Sequence, residues 1–311
     1  MVEVLPRAGF VCSMKVSVLI PAYQAGSYIL TALQSVATQT HEDWEIIVVE
    51  DGSRDGTEAI VEEFGRTARN SVVYRNMGTN CGVGSVRNRL LELATGEAIA
   101  FLDSDDRWES IHLEAALEKI EEGADLVVSG VQTFDLLSDA TLEKVEPPLA
   151  LYQDAVLTLF QQSVIVTSST VVLTKALTDR TGQFDPTLRI GEDRDYWLRC
   201  ALEGGRFAGT GIFTCNYAKH KNSSMARTTV VAENELRFYE KYRSLTEIPI
   251  RLRRHLLASS LVCVGRLLRQ RDRSRSAACF WRAWQYEPFN PRIPFHLAFN
   301  GWRSIARENT A

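Results

Sequence analysis

The sequence predicts an α/β protein built on a largely parallel, doubly wound sheet and followed by a helical tail. Three observations carry this. Four short runs rich in β-branched and apolar residues alternate with helix-period segments between Lys15 and Leu102. The first, second and fourth of them end in polar loops that would share one edge of the sheet. The fourth run, from Ala98 to Leu102, stops at three carboxylates, Asp103, Asp105 and Asp106. Ligands of parallel α/β sheets sit just beyond the carboxyl ends of the strands. Carboxylates crowded there repel one another unless a cation or a set of donors neutralises them. A divalent cation that also holds phosphate oxygens meets that need; for a lone D-x-D, so does a solvated acidic turn.

Lys15 to Ile20 reads as the first strand, ended by Pro21. After the loop Pro21 to Gly26, Ser27 is the expected cap of a helix reaching about Thr38, with Leu30, Leu33 and Val36 inward. Trp44 to Val49 is a second strand and ends in Glu50-Asp51-Gly52-Ser53. Asp55-Gly56-Thr57 opens a helix to about Gly65, Ser71 to Arg75 forms a third strand, and Ser85 to Ala94 forms a helix closed by Gly96. Further on, Asp125 to Gly130 and Thr170 to Thr174 read as strands, Gln153 to Phe160 as a short helix, and residues 135–150 as an irregular connection. A turn over Gly182 to Leu188 precedes a helix from Gly191 to Arg199. Its acids Glu192 and Asp193 fall in the first turn, where the helix dipole alone favours them. Phe213 to Ala218 is a late strand delivering Lys219-His220-Lys221, and helices are expected over 227–245, 252–269, 274–286 and 293–306.

Charge is unevenly spread. The chain carries a net −4, yet from Pro249 onward twelve Arg and no Lys face only Asp272, Glu287 and Glu308. A basic tail on an acidic body suits contact with something anionic, such as a membrane surface, phospholipid or nucleic acid, and equally a solvated helical face; the acidic body gives nucleic-acid binding little support beyond the tail. Six scattered cysteines without a C-x-x-C pair read as free thiols in a reducing compartment. With no run of about 18 apolar residues and no signal peptide, a cytoplasmic protein is expected, peripheral at the inner membrane face. Met14, directly before the first strand, is a second candidate start. The expected organisation is an extension over 1–14, a catalytic domain over 15–245 and an Arg-rich helical tail over 246–311.

With these residues in view, the chain resembles an inverting family 2 glycosyltransferase of the GT-A fold, over roughly residues 15–225. The resemblance rests on Val-Ser-Val-Leu-Ile-Pro-Ala-Tyr23, Ile47-Val-Val-Glu-Asp-Gly-Ser53 with Asp55-Gly56-Thr57, and Gly84-Ser-Val-Arg-Asn88. Phe101-Leu-Asp-Ser-Asp-Asp106, Gly182-x-Phe-Asp185 and Glu192-Asp193-x-Asp195-Tyr-Trp-Leu-Arg199 follow in the same order and spacing. It implies a nucleotide-sugar donor, UDP-linked by preference, and a glycan or lipid-linked acceptor in surface polysaccharide or glycoconjugate synthesis. Pro21, Ala22 and Tyr23 would border the base, Asp51 would accept from it, and Arg87 would approach base or diphosphate. Asp103 and the adjoining Ser104 would bind the donor's ribose side. Asp105, with His220, would hold Mn²⁺ or Mg²⁺ on the diphosphate. Asp193 matches the general base, with Glu192 and Asp195 as lesser candidates. Glu50 stands where relatives usually have Asp.

Two other readings stay open. A nucleotidyltransferase would carry a basic, Gly-rich phosphate loop after the first strand, and Pro21 to Gly26 has no Lys or Arg. The G-x-G-x-x-G of a dehydrogenase is absent there too. A non-catalytic sugar-nucleotide-binding or scaffold protein would lack Asp105 or Asp193, and both are present.

Overall fold

A computed structural model describes residues 13–135, 140–219, 228–291 and 293–294. Its first half follows from hydrophobic patterning. The strands β1 (Val16–Ala22), β2 (Trp44–Glu50) and β4 (Ala98–Phe101) are almost wholly buried, because helices cover both faces of a parallel sheet. Helices α1 (Ile29–Ala37), α2 (Thr57–Thr67) and α3 (Val83–Leu93) make the crossovers, and β3 (Val72–Asn76) is the outer strand. Val16 pairs with both Trp44 and Ala98, and the order β3-β2-β1-β4 is parallel throughout. Side chains alternate between two cores: Leu19, Ile47 and Phe101 on one face, Val18, Ile46 and Ala100 on the other.

Two readings of α1 are corrected. Leu30, expected inward, is exposed, and Ile29 is buried in its place, beside Leu33 and Val36. Ser27 does not cap α1; Tyr28 stands at the cap position, its side chain making no capping bond, and the Ala25 carbonyl takes the amides of Tyr28 and Ile29.

The second half is a mixed extension of the same sheet. It comprises β5 (Arg107–Trp108), α4 (His112–Glu121), β6 (Leu126–Asp135), β7 (Thr141–Val145), α5 (Ala150–Gln153), α6 (Ala155–Gln161), β8 (Val171–Thr174), α7 (Lys175–Thr181), α8 (Glu192–Leu202) and β9 (Phe207–Lys219). β8 runs antiparallel to both β4 and β6, β6 parallel to β9, and β9 antiparallel to β5. The sheet order is thus β3-β2-β1-β4-β8-β6-β9-β5, with β7 beside β6. The expected α/β architecture is present, and its antiparallel additions are what the runs alone did not show.

Residues 135–150 are not simply irregular: Thr141–Val145 pairs antiparallel with β6, Val145 opposite Val131. β7 is solvent-exposed, so it carries no apolar alternation to read. β6 extends past Gly130, where an added Cβ would lie 2.7 Å from the Phe213 ring; the missing side chain lets the two strands close over an irregular register. The short helix expected over 153–160 is α6, preceded by the single turn of α5. Asp154 breaks the run and caps α6 by accepting from the Leu157 amide at 2.9 Å.

C-terminal to the sheet, α9 (Thr228–Lys241) packs against a hairpin of α10 (Ile250–Leu268) and α11 (Arg273–Tyr286). Leu257, Leu261 and Val264 join the core that already holds Leu236 and Tyr239. Ion pairs Arg275–Glu233 at 3.1 Å and Arg282–Glu240 at 2.5 Å fasten α11 to α9. The helix expected over 293–306 lies outside the described residues beyond 294. Among the described residues the cysteines are free thiols, and no helix is long and apolar enough to cross a membrane.

Candidate active site

The loops at the carboxyl ends of β1, β2 and β4 border a cleft of about 830 Å³, a size suited to a nucleotide-sized ligand. Pro21, Ala22, Tyr23, Asp51, Arg87, Asp103, Ser104, Asp105 and Asp193 all line it. His220 lies outside the described residues.

The first wall is a clamp between the loops after β1 and β2. The Asp51 amide donates to the Ala22 carbonyl at 2.8 Å. Ser53 Oγ accepts the Gln24 amide and donates to Glu50 Oε1, and Asp55 accepts the Gly26 amide at 2.7 Å. Asp51 reaches over to the next loop, one carboxylate oxygen taking the Cys81 amide at 2.6 Å and the other the Gly82 amide at 2.9 Å. Gly52 makes this possible: at φ +79° its position would put a Cβ 2.6 Å from the Thr79 carbonyl carbon. Asp51 therefore positions the loop leading into α3, and any bond from a base falls to its remaining lone pairs. Glu50 is buried; Oε2 has no hydrogen-bond partner among the described residues. Tyr23 is 51% exposed at the cleft mouth.

The acidic loop is held by a segment the sequence reading missed, Thr167-Ser168-Ser169. Ser169 Oγ takes the Asp103 amide at 2.9 Å and donates to Asp106 at 2.6 Å, and Thr167 Oγ1 contacts both Asp103 and Asp106. Asp106 also accepts the Ala218 amide and is buried. Burial, with Asp105 and Asp103 close by, pushes its carboxyl well above the usual carboxylate range. Asp106 thus faces inward, while Asp103 and Asp105 are partly exposed in the cleft. The hydroxyl-rich run before β8 was the available signal, but its partners lie some sixty residues away.

This donor set fits a divalent cation. Among the described residues no cluster of three or more His, Cys, Asp and Glu could hold a metal unaided. A hard cation of the Mg²⁺ or Mn²⁺ type needs only one or two carboxylates when phosphate oxygens and water complete its shell. Asp105 lines the cleft and is a carboxylate that could supply one, and a cation would offset the repulsion within the Asp103–Asp106 loop.

Across the cleft stands the first turn of α8. Arg87, 4% exposed, ties the two walls together through Glu192 at 2.6 Å and Asp103 at 3.2 Å. Burial opposes its charge, but Asp103, Glu192 and Asp193 outweigh that and hold the guanidinium above its ordinary value. Burial and the neighbouring Asp193 push the Glu192 carboxyl up to about 7 despite the Arg87 contact.

The three acids of this turn have distinct fates. Glu192 is spent on Arg87. Asp195 is fully buried, accepting from Tyr242, Lys241 and Arg199. Asp193 is partly exposed, and one oxygen accepts only the Arg194 amide at 2.7 Å. Arg194, also unforeseen, is buried and donates to the Leu159 and Phe160 carbonyls at 2.7 Å under the Phe238 ring. It anchors the turn to α6 and α9.

The motif Gly84 to Asn88 and the motif Gly182 to Asp185 meet face to face. Asn88 exchanges two hydrogen bonds with the Phe184 backbone, and Phe184 stacks on Tyr196 of α8 at 3.9 Å between ring centres. Segments a hundred residues apart are thereby locked beside the cleft.

Comparison with known proteins agrees with this geometry. Residues 17–168 match the family model described as glycosyl transferase family 2. TuaG of Bacillus subtilis (strain 168), named for teichuronic acid biosynthesis, is 35% identical over 206 residues, covering 64% of this chain and 76% of that protein. AmsB of Erwinia amylovora, named for amylovoran biosynthesis, is 28% identical over 67% of this chain and 73% of its own. Among solved structures, residues 1–349 of S. aureus TarS in complex with UDP-GlcNAc superpose with a TM-score of 0.65 at 21% identity, over 88% of this chain and 81% of that one. The mannosyltransferase PcManGT of Pyrobaculum calidifontis, in complex with GDP-Man and Mn²⁺, gives 0.59 at 17% identity, over 93% and 84%. The fold is the GT-A fold, and the chain belongs to glycosyl transferase family 2.

Proposed function

We propose that the chain is an inverting, metal-assisted glycosyltransferase that moves a sugar from a UDP-sugar to a hydroxyl of a glycan or lipid-linked acceptor during surface polysaccharide synthesis. The observation that carries this is one cleft with Asp103-Ser104-Asp105 on one wall, Asp193 on the other and Arg87 bridging them. The names of TuaG and AmsB support the pathway class, and the UDP-GlcNAc complex of TarS supports the donor class.

In this reading Pro21 to Tyr23 and the loop held by Asp51 border the base, and Asp103 and Ser104 meet the ribose. Asp105 holds the divalent cation; when bound, that ion supplies electrostatic stabilisation of the departing diphosphate. Asp193 takes the proton of the acceptor hydroxyl as the new O–C bond forms at the anomeric carbon. The bond to the diphosphate breaks on the opposite face, so the configuration inverts. Geometry favours Asp193 over its neighbours, because Glu192 is bound by Arg87 and Asp195 is enclosed. The nucleotidyltransferase alternative loses ground on a specific contact: the loop after β1 spends the Gln24 and Gly26 amides on Ser53 and Asp55 instead of cradling a phosphate.

Calorimetric titration of UDP, GDP and dTDP, with and without Mn²⁺, tests the donor site. UDP should bind in a Mn²⁺-dependent way, and Asp105→Ala should weaken it about tenfold or more. A folded protein that binds none of the three would leave the acidic loop structural and favour the scaffold alternative.

The same proposal places the protein in the cytoplasm, against an anionic membrane. In its support, Arg251, Arg266, Arg271 and Arg273 of the C-terminal hairpin are exposed, as are Ile250, Trp281 at 52% and Phe289 at 96%. Exposed aromatics beside arginines suit a phospholipid interface. Vesicle flotation of the full chain should show recovery on anionic vesicles that falls in a Trp281→Ser, Phe289→Ser double variant. Equal recovery on neutral and anionic vesicles would refute the contact.

A further inference from the structure

We infer that Arg189 is the anion-binding element of the acceptor subsite, so that the acceptor carries a carboxylate or phosphate near the hydroxyl to be glycosylated. This deepens the glycosyltransferase reading and rests on it. Three arginines line the cleft, Arg87, Arg189 and Arg194. Two of them are used internally: Arg87 on Asp103 and Glu192, Arg194 on the carbonyls that end α6. Arg189 is exposed, and among the described residues its guanidinium has neither an ion pair nor a hydrogen-bond partner.

Its backbone, by contrast, is fixed. The Arg189 amide donates to Asn234 Oδ1 of α9 at 3.3 Å, and Asn234 in turn donates to the Val230 carbonyl at 2.8 Å. Arg189 therefore sits on the wall that α9 shares with the first turn of α8, just ahead of Asp193. Val231 and Asn234 of α9 line the same wall. The base-binding and acidic loops occupy the other side of Arg87. Glu235, exposed nearby, makes no ion pair with it.

A guanidinium without a partner among the described residues, lining the same cleft as Asp193, has a fork of donors suited to bidentate recognition of a carboxylate or phosphate. A bound anion there would fix the acceptor's register against Asp193 and discriminate against neutral sugars.

The test uses three probes alike except at C6: p-nitrophenyl β-glucoside, the corresponding glucuronide and the glucoside 6-phosphate. Binding is measured by calorimetry to the full chain saturated with UDP and Mn²⁺, for wild type and for Arg189→Gln. We expect wild type to bind at least one anionic probe about tenfold or more tighter than the neutral glucoside. Which anion is preferred tells a uronate from a phosphate. Arg189→Gln should erase the difference while UDP affinity stays within about twofold. Equal binding of the three probes by wild type, undetectable binding included, overturns the inference. So does a preference that survives in Arg189→Gln, or a tenfold loss of UDP affinity in that variant, which would put Arg189 on the donor. Failure of wild type to bind UDP at all is a separate result: it removes the donor-site reading, and this inference with it.

Discussion

Replacing Asp193 by Asn should lower the turnover of sugar transfer by a factor of about 10²–10⁴ while UDP affinity stays within about twofold. The substitution keeps the shape of the side chain and removes its negative charge, and with it the capacity to accept a proton. No neighbour is placed to take over. Glu192 is held by Arg87 at 2.6 Å, and Asp195 is enclosed by Tyr242, Lys241 and Arg199. The measurement is UDP release from the sugar nucleotide with acceptor present, set beside a nucleotide titration of the same variant. An Asp193→Asn protein within tenfold of wild-type turnover would move the base elsewhere. Asp195→Asn is the informative companion, since it should act on stability through α9 before it acts on chemistry.

Arg87→Ala should be the most damaging single change to stability near the site, about 3–5 kcal/mol at pH 8, because it leaves the buried Glu192 without its cation. The loss should depend on pH in a definite direction. The folded-state carboxyl of Glu192 is pushed up to about 7 from the ordinary 4.5, first by burial and then by Asp193. A raised folded value means that the folded protein holds this proton more tightly than the unfolded chain does. The group's favourable contribution is therefore complete below about pH 4.5 and is lost as pH rises through about 7. Removing Arg87 takes away the cation that lowers the value, so the variant should suffer less at pH 5, where Glu192 is largely protonated, than at pH 8. Urea unfolding of wild type and variant at both pH values reads this directly. Equal losses at pH 5 and pH 8 would show that the damage is to packing against Phe184, whose ring lies 5.6 Å from the guanidinium.

The contrast between Asp193 and Asp195 shows where sequence reading ends. Both acids lie in the first turn of one helix, two residues apart, and local pattern alone leaves either as a base. Their separation comes from α9, which brings Tyr242 and Lys241 onto Asp195 from more than forty residues away. The acidic loop is similar. Its position at the end of β4 was readable, but the division of labour among Asp103, Asp105 and Asp106 was not. Thr167, Ser169 and the Ala218 amide turn Asp106 inward, and although the hydroxyl-rich run is visible in the chain, nothing local shows which distant carboxylate these donors meet. Arg87 was read as a ligand-facing group, and the structure makes it first a strut between Asp103 and Glu192.

By itself the sequence determined the parallel half of the sheet, the edge on which the cleft opens and the chemical kinds of residue that line it. It could do so because buried strands are encoded by contiguous apolar runs, and a strand's end by the polar residues that stop the run. The tertiary structure alone decided the mixed extension through β8, β6 and β9, the exposed strand β7, and which carboxylate is spent, which is enclosed and which is left facing the cleft. Those outcomes turn on desolvation and on donors contributed from distant segments, and neither is a property of the residues that flank a carboxylate in the chain.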